Sequence, residues 1–163
     1  MPAVAADIIV RYLTGDEPEQ FAKARALIDS EDIFVCTTVL LETEWVLRSA
    51  HRFDRARVIA ALTAFAGLPC VILEDTRLAA KALDWLARGM DFADALHLGK
   101  ANCCEAFVSF DQQFAAVANP ISKVKVRGVI VGHDPEMVSG WAPVKPSFCK
   151  AARVRCRLPR AGS

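Results

Sequence analysis

Four acidic residues, Asp7, Glu42, Asp94 and Asp111, each stand where an apolar run meets a helix or a turn. Asp7 precedes Ile8-Ile9-Val10, and Glu42 follows Val39-Leu40-Leu41. Asp94 lies in Asp91-Phe92-Ala93-Asp94-Ala95-Leu96-His97, and Asp111 closes Ala106-Phe107-Val108-Ser109-Phe110. Ionised carboxylates are poor neighbours for apolar segments unless something compensates them. Brought together they repel and raise one another's pKa, unless a hard cation such as Mg²⁺ or Mn²⁺ lies between them. The combination points to a metal-dependent active site, although each acid alone reads first as a helix cap or a loop charge.

The neighbouring polar residues carry less. Asp91 reads first as a helix N-cap, with a supporting role at the site as the second reading. Glu44 is two residues from Glu42, so on a helix it faces away and is expected in solvent. His97 follows Asp94 by three residues on the same helical face and reads as a packed or hydrogen-bonding histidine. Arg11 and Arg48 are available to phosphate, with ion pairing or solvation as the default.

The elements that must position these acids alternate in type. Ala3 to Leu13 reads as a short buried strand running into a helix or turn that ends at Thr14-Gly15-Asp16. Pro18 and its flanking acids start a helix whose residues Phe21, Ala24, Leu27 and Ile28 share a face. Ile33 to Cys36 is strand-like, and Thr37-Thr38 starts a long helix in which Leu41, Trp45, Val46 and Ser49 are expected to share a face. Asp54 to Phe65 is helical, Cys70 to Leu73 a strand, and Asp75 caps a helix over Arg77 to Leu86. Asp91 begins a helix over Phe92 to Asn102. Ala106 to Phe110 is a strand, Gln112 to Val117 a short helix and Val124 to Val126 an edge strand. Such alternation predicts an α/β fold, a mostly parallel central sheet flanked by helices in three layers. Ligands of such sheets gather at the carboxyl ends of the strands, where Glu42 and Asp111 would be delivered.

A chain of 163 residues with 53% hydrophobic and 24% charged content is globular and about one domain long. Its net charge of +1 carries no strong signal for nucleic acid, but the charge is uneven. Residues 1–126 hold 13 Lys and Arg against 17 Asp and Glu, and residues 127–163 hold 7 against 2. The second segment, with Pro135, Pro143, Pro146 and Pro159 and a cluster of Arg153, Arg155, Arg157 and Arg160, reads as an irregular basic tail. It is either a disordered terminus or an RNA-contacting arm. No apolar run is long enough to span a membrane, and Asp7 interrupts what would be a signal-peptide core. The 6 cysteines show no C-x-x-C spacing and read as reduced thiols, so a cytoplasmic location is expected.

Four segments resemble the PIN-domain ribonucleases, and in particular the VapC-type toxins of bacterial toxin–antitoxin pairs. They are Ile8 to Asp16, Val39 to Arg48 with Glu42, Asp91 to His97 with Asp94, and Val108-Ser109-Phe110-Asp111. They occur in family order and cover about residues 1–126. The resemblance implies a PIN fold and a Mg²⁺- or Mn²⁺-dependent endoribonuclease. It also implies a cognate antitoxin as partner, RNA as substrate and a homodimer. By position Glu42, Asp94 and Asp111 match metal-site acids, and Ser109 matches a hydroxyl residue that supports the last of them. The apolar helices around Trp45 and Trp85 offer candidate partner surface, although either Trp alone reads first as core.

The chain departs from the pattern at its N-terminus. The family's first strand normally ends Asp-x-Asn, where this sequence has Ala5-Ala6-Asp7. On an extended strand residues 5 and 7 share a face, so Asp7 is expected as a displaced fourth ligand. Three classes follow: an active endoribonuclease, a catalytically silent PIN protein that binds antitoxin or RNA, and an unrelated α/β phosphatase or nuclease. Within the third, the haloacid-type phosphatases need an Asp-x-Asp nucleophile pair after the first strand, which Ala5-Ala6-Asp7 does not supply.

Overall fold

Short strands alternate with amphipathic helices because the apolar residues switch between the two spacings at turn and cap residues. The structure is a computed structural model that describes residues 1–129. Its helices are α1 (Ala6–Thr14), α2 (Pro18–Ser30), α3 (Thr37–Ser49), α4 (Arg55–Ala66), α5 (Thr76–Ala87), α6 (Phe92–Lys100) and α7 (Gln112–Ala118). The strands between them are β1 (Ile33–Val35), β2 (Val71–Leu73), β3 (Ala106–Val108) and β4 (Lys125–Arg127).

The strands pair in parallel, as expected. β1 lies against β2 with Phe34 opposite Ile72, and β3 lies against β4 with Phe107 opposite Val126. Residues 2–4 add an edge to β1: Ala3 bridges Phe34, the Val4 amide donates to Phe34 O at 3.1 Å, and the Phe34 amide donates to Pro2 O at 2.8 Å. Among the described residues the layer consists of two hydrogen-bonded pairs and not one continuous ladder. Strands of three residues offer few ladder bonds, so side-chain packing carries more of the cohesion. Ile9, Ile28, Ile33, Leu47, Leu62, Phe65, Phe92 and Leu98 form the fully buried centre.

Capping sets where helices begin. Asp54, Asp75 and Asp91 accept backbone amides at the starts of α4, α5 and α6. The start of α3 is served from a distance, by Glu74 Oε2 accepting the Thr37 amide at 2.7 Å. That contact holds the Glu74 carboxyl below its usual range, chiefly through the Thr37 backbone. Gly15 ends α1 at φ 62°, a left-handed conformation that favours glycine.

Two expectations are corrected. Asp7 does not stand on a strand: Ala5 is the extended residue before α1, and Asp7 lies in the first helical turn. An apolar run this short cannot be assigned to strand or helix by spacing alone. On α3 the buried residues are Leu40, Thr43, Glu44 and Leu47, whereas Trp45 is 58% exposed. That i, i+3, i+4, i+7 face passes through two polar residues, which hid it from a reading of apolar spacing. Trp85, by contrast, is buried.

Helix α5 packs closely on α6 at Gly99, where a Cβ would overlap Leu78 Cδ1. Gly99→Ala is therefore expected to destabilise the fold. Overpacking costs about 1–3 kcal/mol, against about 1 kcal/mol gained in helix propensity. A net loss of up to ~2 kcal/mol should appear as a lower urea midpoint, and a Leu78→Ala background should abolish it.

Candidate active site

The turn between α5 and α6 passes through Gly89 at φ 102°, which lets the chain reverse and present Asp91 as the cap of α6. Asp91 Oδ1 accepts the Ala93 amide at 2.9 Å, and Asp94 follows in the first turn of the helix. At the end of β3, Asp111 caps α7, its Oδ1 accepting the Gln113 and Phe114 amides at 2.8 and 3.0 Å. Ser109 Oγ accepts the Asp111 amide at 3.0 Å, so Ser109 supports Asp111 through the backbone.

Asp91, Asp94 and Asp111 line one hollow of about 210 Å³ together with Arg55 and Gln113. Asp94 is half-buried and makes no hydrogen bond or ion pair among the described residues. Burial raises its pKa, the Asp91 and Asp111 carboxylates raise it further, and His97 acts in the opposite sense. His97 is thus an electrostatic neighbour of Asp94. Arg55, which the sequence did not single out, follows the cap Asp54 and is exposed.

Glu42 and Asp7 line a second hollow, of about 290 Å³, together with Arg11, Val46 and His51. Glu42 is exposed and without a hydrogen bond or ion pair among the described residues. Asp7 is exposed too, its Oδ1 accepting the adjacent Ile8 amide at 2.9 Å. Arg11 is paired with Asp16 at 2.6 Å and donates to Gln20 at 2.8 Å, so its charge is already used. Asp94, Asp111 and Asp91 thus line one hollow, and Glu42 and Asp7 line another.

Glu44 was expected in solvent and is instead only 3% exposed. Arg48 compensates it, with Nε 3.0 Å from Oε1, and reaches on to Asp91 Oδ2 at 3.5 Å. Burial raises the Glu44 pKa and Arg48 opposes that shift. With a raised folded pKa, the stability tied to this group is full below the ordinary glutamate value near 4.5 and is lost as pH rises through the folded value. Glu44→Gln should therefore gain stability relative to the parent as pH rises from about 4 to 7. Paired urea titrations across that range check it, and a pH-independent difference would disprove it.

The donor chemistry suits a hard cation. Asp94 makes no hydrogen bond or ion pair among the described residues, Asp111 Oδ2 takes no hydrogen bond among them, and Mg²⁺ is commonly held by one or two carboxylates with water filling the rest. Among the described residues no three His, Cys, Asp or Glu side chains are grouped tightly enough to form a ready-made metal cage.

The PIN domain family model matches residues 6–120, so the chain belongs to the PIN domain family, in general a family of nucleases. No curated protein matches the chain. Among solved structures it is similar to Mycobacterium tuberculosis VapC20, described as a sarcin–ricin loop cleaving toxin. The identity is 22%, over 71% of this chain and 94% of that one, with a TM-score of 0.37. The family match carries the assignment. No helix among the described residues is long and apolar enough to cross a membrane. The basic segment 127–163 lies outside the described residues from residue 130 onward.

Proposed function

We propose that the chain is a VapC-like, metal-dependent endoribonuclease, the toxin of a toxin–antitoxin pair. The observation that carries this reading is Asp94, half-buried and unpartnered beside Asp91 and Asp111 in the hollow of a PIN-family chain. Asp94 and Asp111 would hold Mg²⁺ or Mn²⁺, Ser109 orienting Asp111 and Asp91 supporting from the start of α6. When bound, the ion supplies a water of lowered pKa and stabilises charge on the attacked phosphate. Glu42 and Asp7, which line the second hollow, are the further acids of the proposal. The exposed Trp45 is the candidate apolar surface for an antitoxin or for a second copy of the chain.

A second reading, a silent PIN protein that binds antitoxin or RNA without cutting, is favoured by one observation. Ala5 presents an exposed methyl group where the resemblance calls for the first acid. Incubation of the full chain with a mixed-sequence RNA in Mg²⁺, Mn²⁺ or EDTA separates the two. Internal cleavage that needs the ion is expected; RNA left intact in both metals favours the silent reading.

A further inference from the structure

Phe110 is 86% exposed, more than any other large apolar side chain among the described residues. It sits between β3 and α7, directly before Asp111. The chain on either side of it is pinned. The Ser109 amide donates to Arg127 O at 3.1 Å, the Asp111 amide donates to Ser109 Oγ at 3.0 Å, and Asp111 caps α7. The neighbouring aromatics are turned inward, Phe107 and Phe114 meeting edge to face at 5.5 Å. Phe110 alone of the three is turned to solvent, on a turn held by hydrogen bonds and adjoining the acidic hollow. Arg55 lines that hollow and makes no hydrogen bond or ion pair among the described residues, although carboxylates lie beside it.

From this juxtaposition, and resting on the nuclease reading above, we propose that Phe110 is a stacking platform for an unpaired nucleobase of the RNA. Arg55 contacts the phosphate backbone of the same strand. A base inside a duplex has both faces covered, whereas a splayed base offers its π-face to an aromatic ring. The platform therefore engages an unpaired stretch of the RNA. Stacking of this kind tolerates any base, because every base has such a face.

The test is binding of the full chain to a labelled single-stranded oligoribonucleotide, followed by anisotropy with Ca²⁺ replacing Mg²⁺ and the RNA checked for integrity. Phe110→Ala and Phe110→Leu should each raise Kd about 5- to 150-fold, the range expected for one stacked base. Phe110→Trp should keep the parent's Kd, and a fully paired RNA should be indifferent to all three. Because the ring is exposed, none of these changes touches the core. Parent-like binding of the single strand by Phe110→Ala or Phe110→Leu overturns the platform while leaving the nuclease reading standing. Loss of a dimer in sedimentation with Kd unchanged assigns the ring to an interface between copies and also overturns it. A parent chain that neither binds nor cleaves RNA removes the nuclease reading and the platform with it.

Discussion

Asp94→Asn is expected to slow metal-dependent RNA cleavage at least about a hundredfold while leaving the metal-free fold as stable as the parent's, or more so. The two effects have one cause. Burial and the Asp91 and Asp111 carboxylates raise the Asp94 pKa, so its ionised form is disfavoured in the absence of a cation. The stability tied to this group is present below the ordinary aspartate value near 3.8 and is lost as pH rises through the raised one. At neutral pH the metal-free parent carries that cost and the amide does not. The same charge is what an ion would use, and a hundredfold in rate corresponds to about 2.7 kcal/mol of transition-state stabilisation. Single-turnover cleavage and thermal melts in EDTA and in Mn²⁺ read both halves. Mn²⁺ should raise the parent's melting temperature and leave the variant's unchanged, since only a folded site with its ligand gains from the ion. A fall of several degrees in EDTA would make Asp94 a structural residue and sink the metal reading.

Much of the frame could be read from residues that act locally. Asp54, Asp75 and Asp91 cap helices because a short carboxylate reaches its own backbone two or three residues on, and that needs no tertiary information. Pro18 starts α2 and Gly15 ends α1 for equally local reasons. The failures lie where packing decides. Asp7 went to a helix because Ala6, Ile9 and Val10 are buried at helical spacing over a stretch too short to reveal it. Glu44 is buried because α3 turns the Leu40–Leu47 face inward, and Arg48, with Arg55 acting in the same sense, makes a carboxylate there tolerable. Sequence position points to Glu42, Asp94 and Asp111 as acids that converge, but it does not carry the packing that sets which hollow each one lines. Asp94 and Asp111 are joined by the packing of α6 and the end of β3, with Arg55 arriving from α4. Phe110 carries the same lesson from the other side, since an aromatic residue closing a strand reads as core.

Restoring a carboxylate at residue 5 should raise Mn²⁺-dependent cleavage by about 10- to 100-fold, the scale of losing or regaining a well-placed group at a metal site. The structure adds a second effect that must be separated from the first. Ala5 is the N-cap residue of α1, extended at φ −89° and ψ 167°, and contributes no side-chain cap. An Asp there would accept an amide of the first turn and stabilise the chain by about 0.5–2 kcal/mol with no metal present. Ala5→Asn caps about as well but brings no charge. Both variants should therefore melt higher than the parent in EDTA, whereas only Ala5→Asp should gain further stability and rate with Mn²⁺. Asp7 already gives its Oδ1 to the Ile8 amide and faces the Glu42 hollow, so Asp7→Asn tests whether it stands in for the missing acid. If Asp7 is a substitute, its amide abolishes whatever cleavage the parent retains, and Ala5→Asp restores it. If the Asp and Asn variants at residue 5 respond alike to Mn²⁺, residue 5 serves only as a helix cap. The ion, where it binds, is then held by Asp94 and Asp111 without help from the N-terminus.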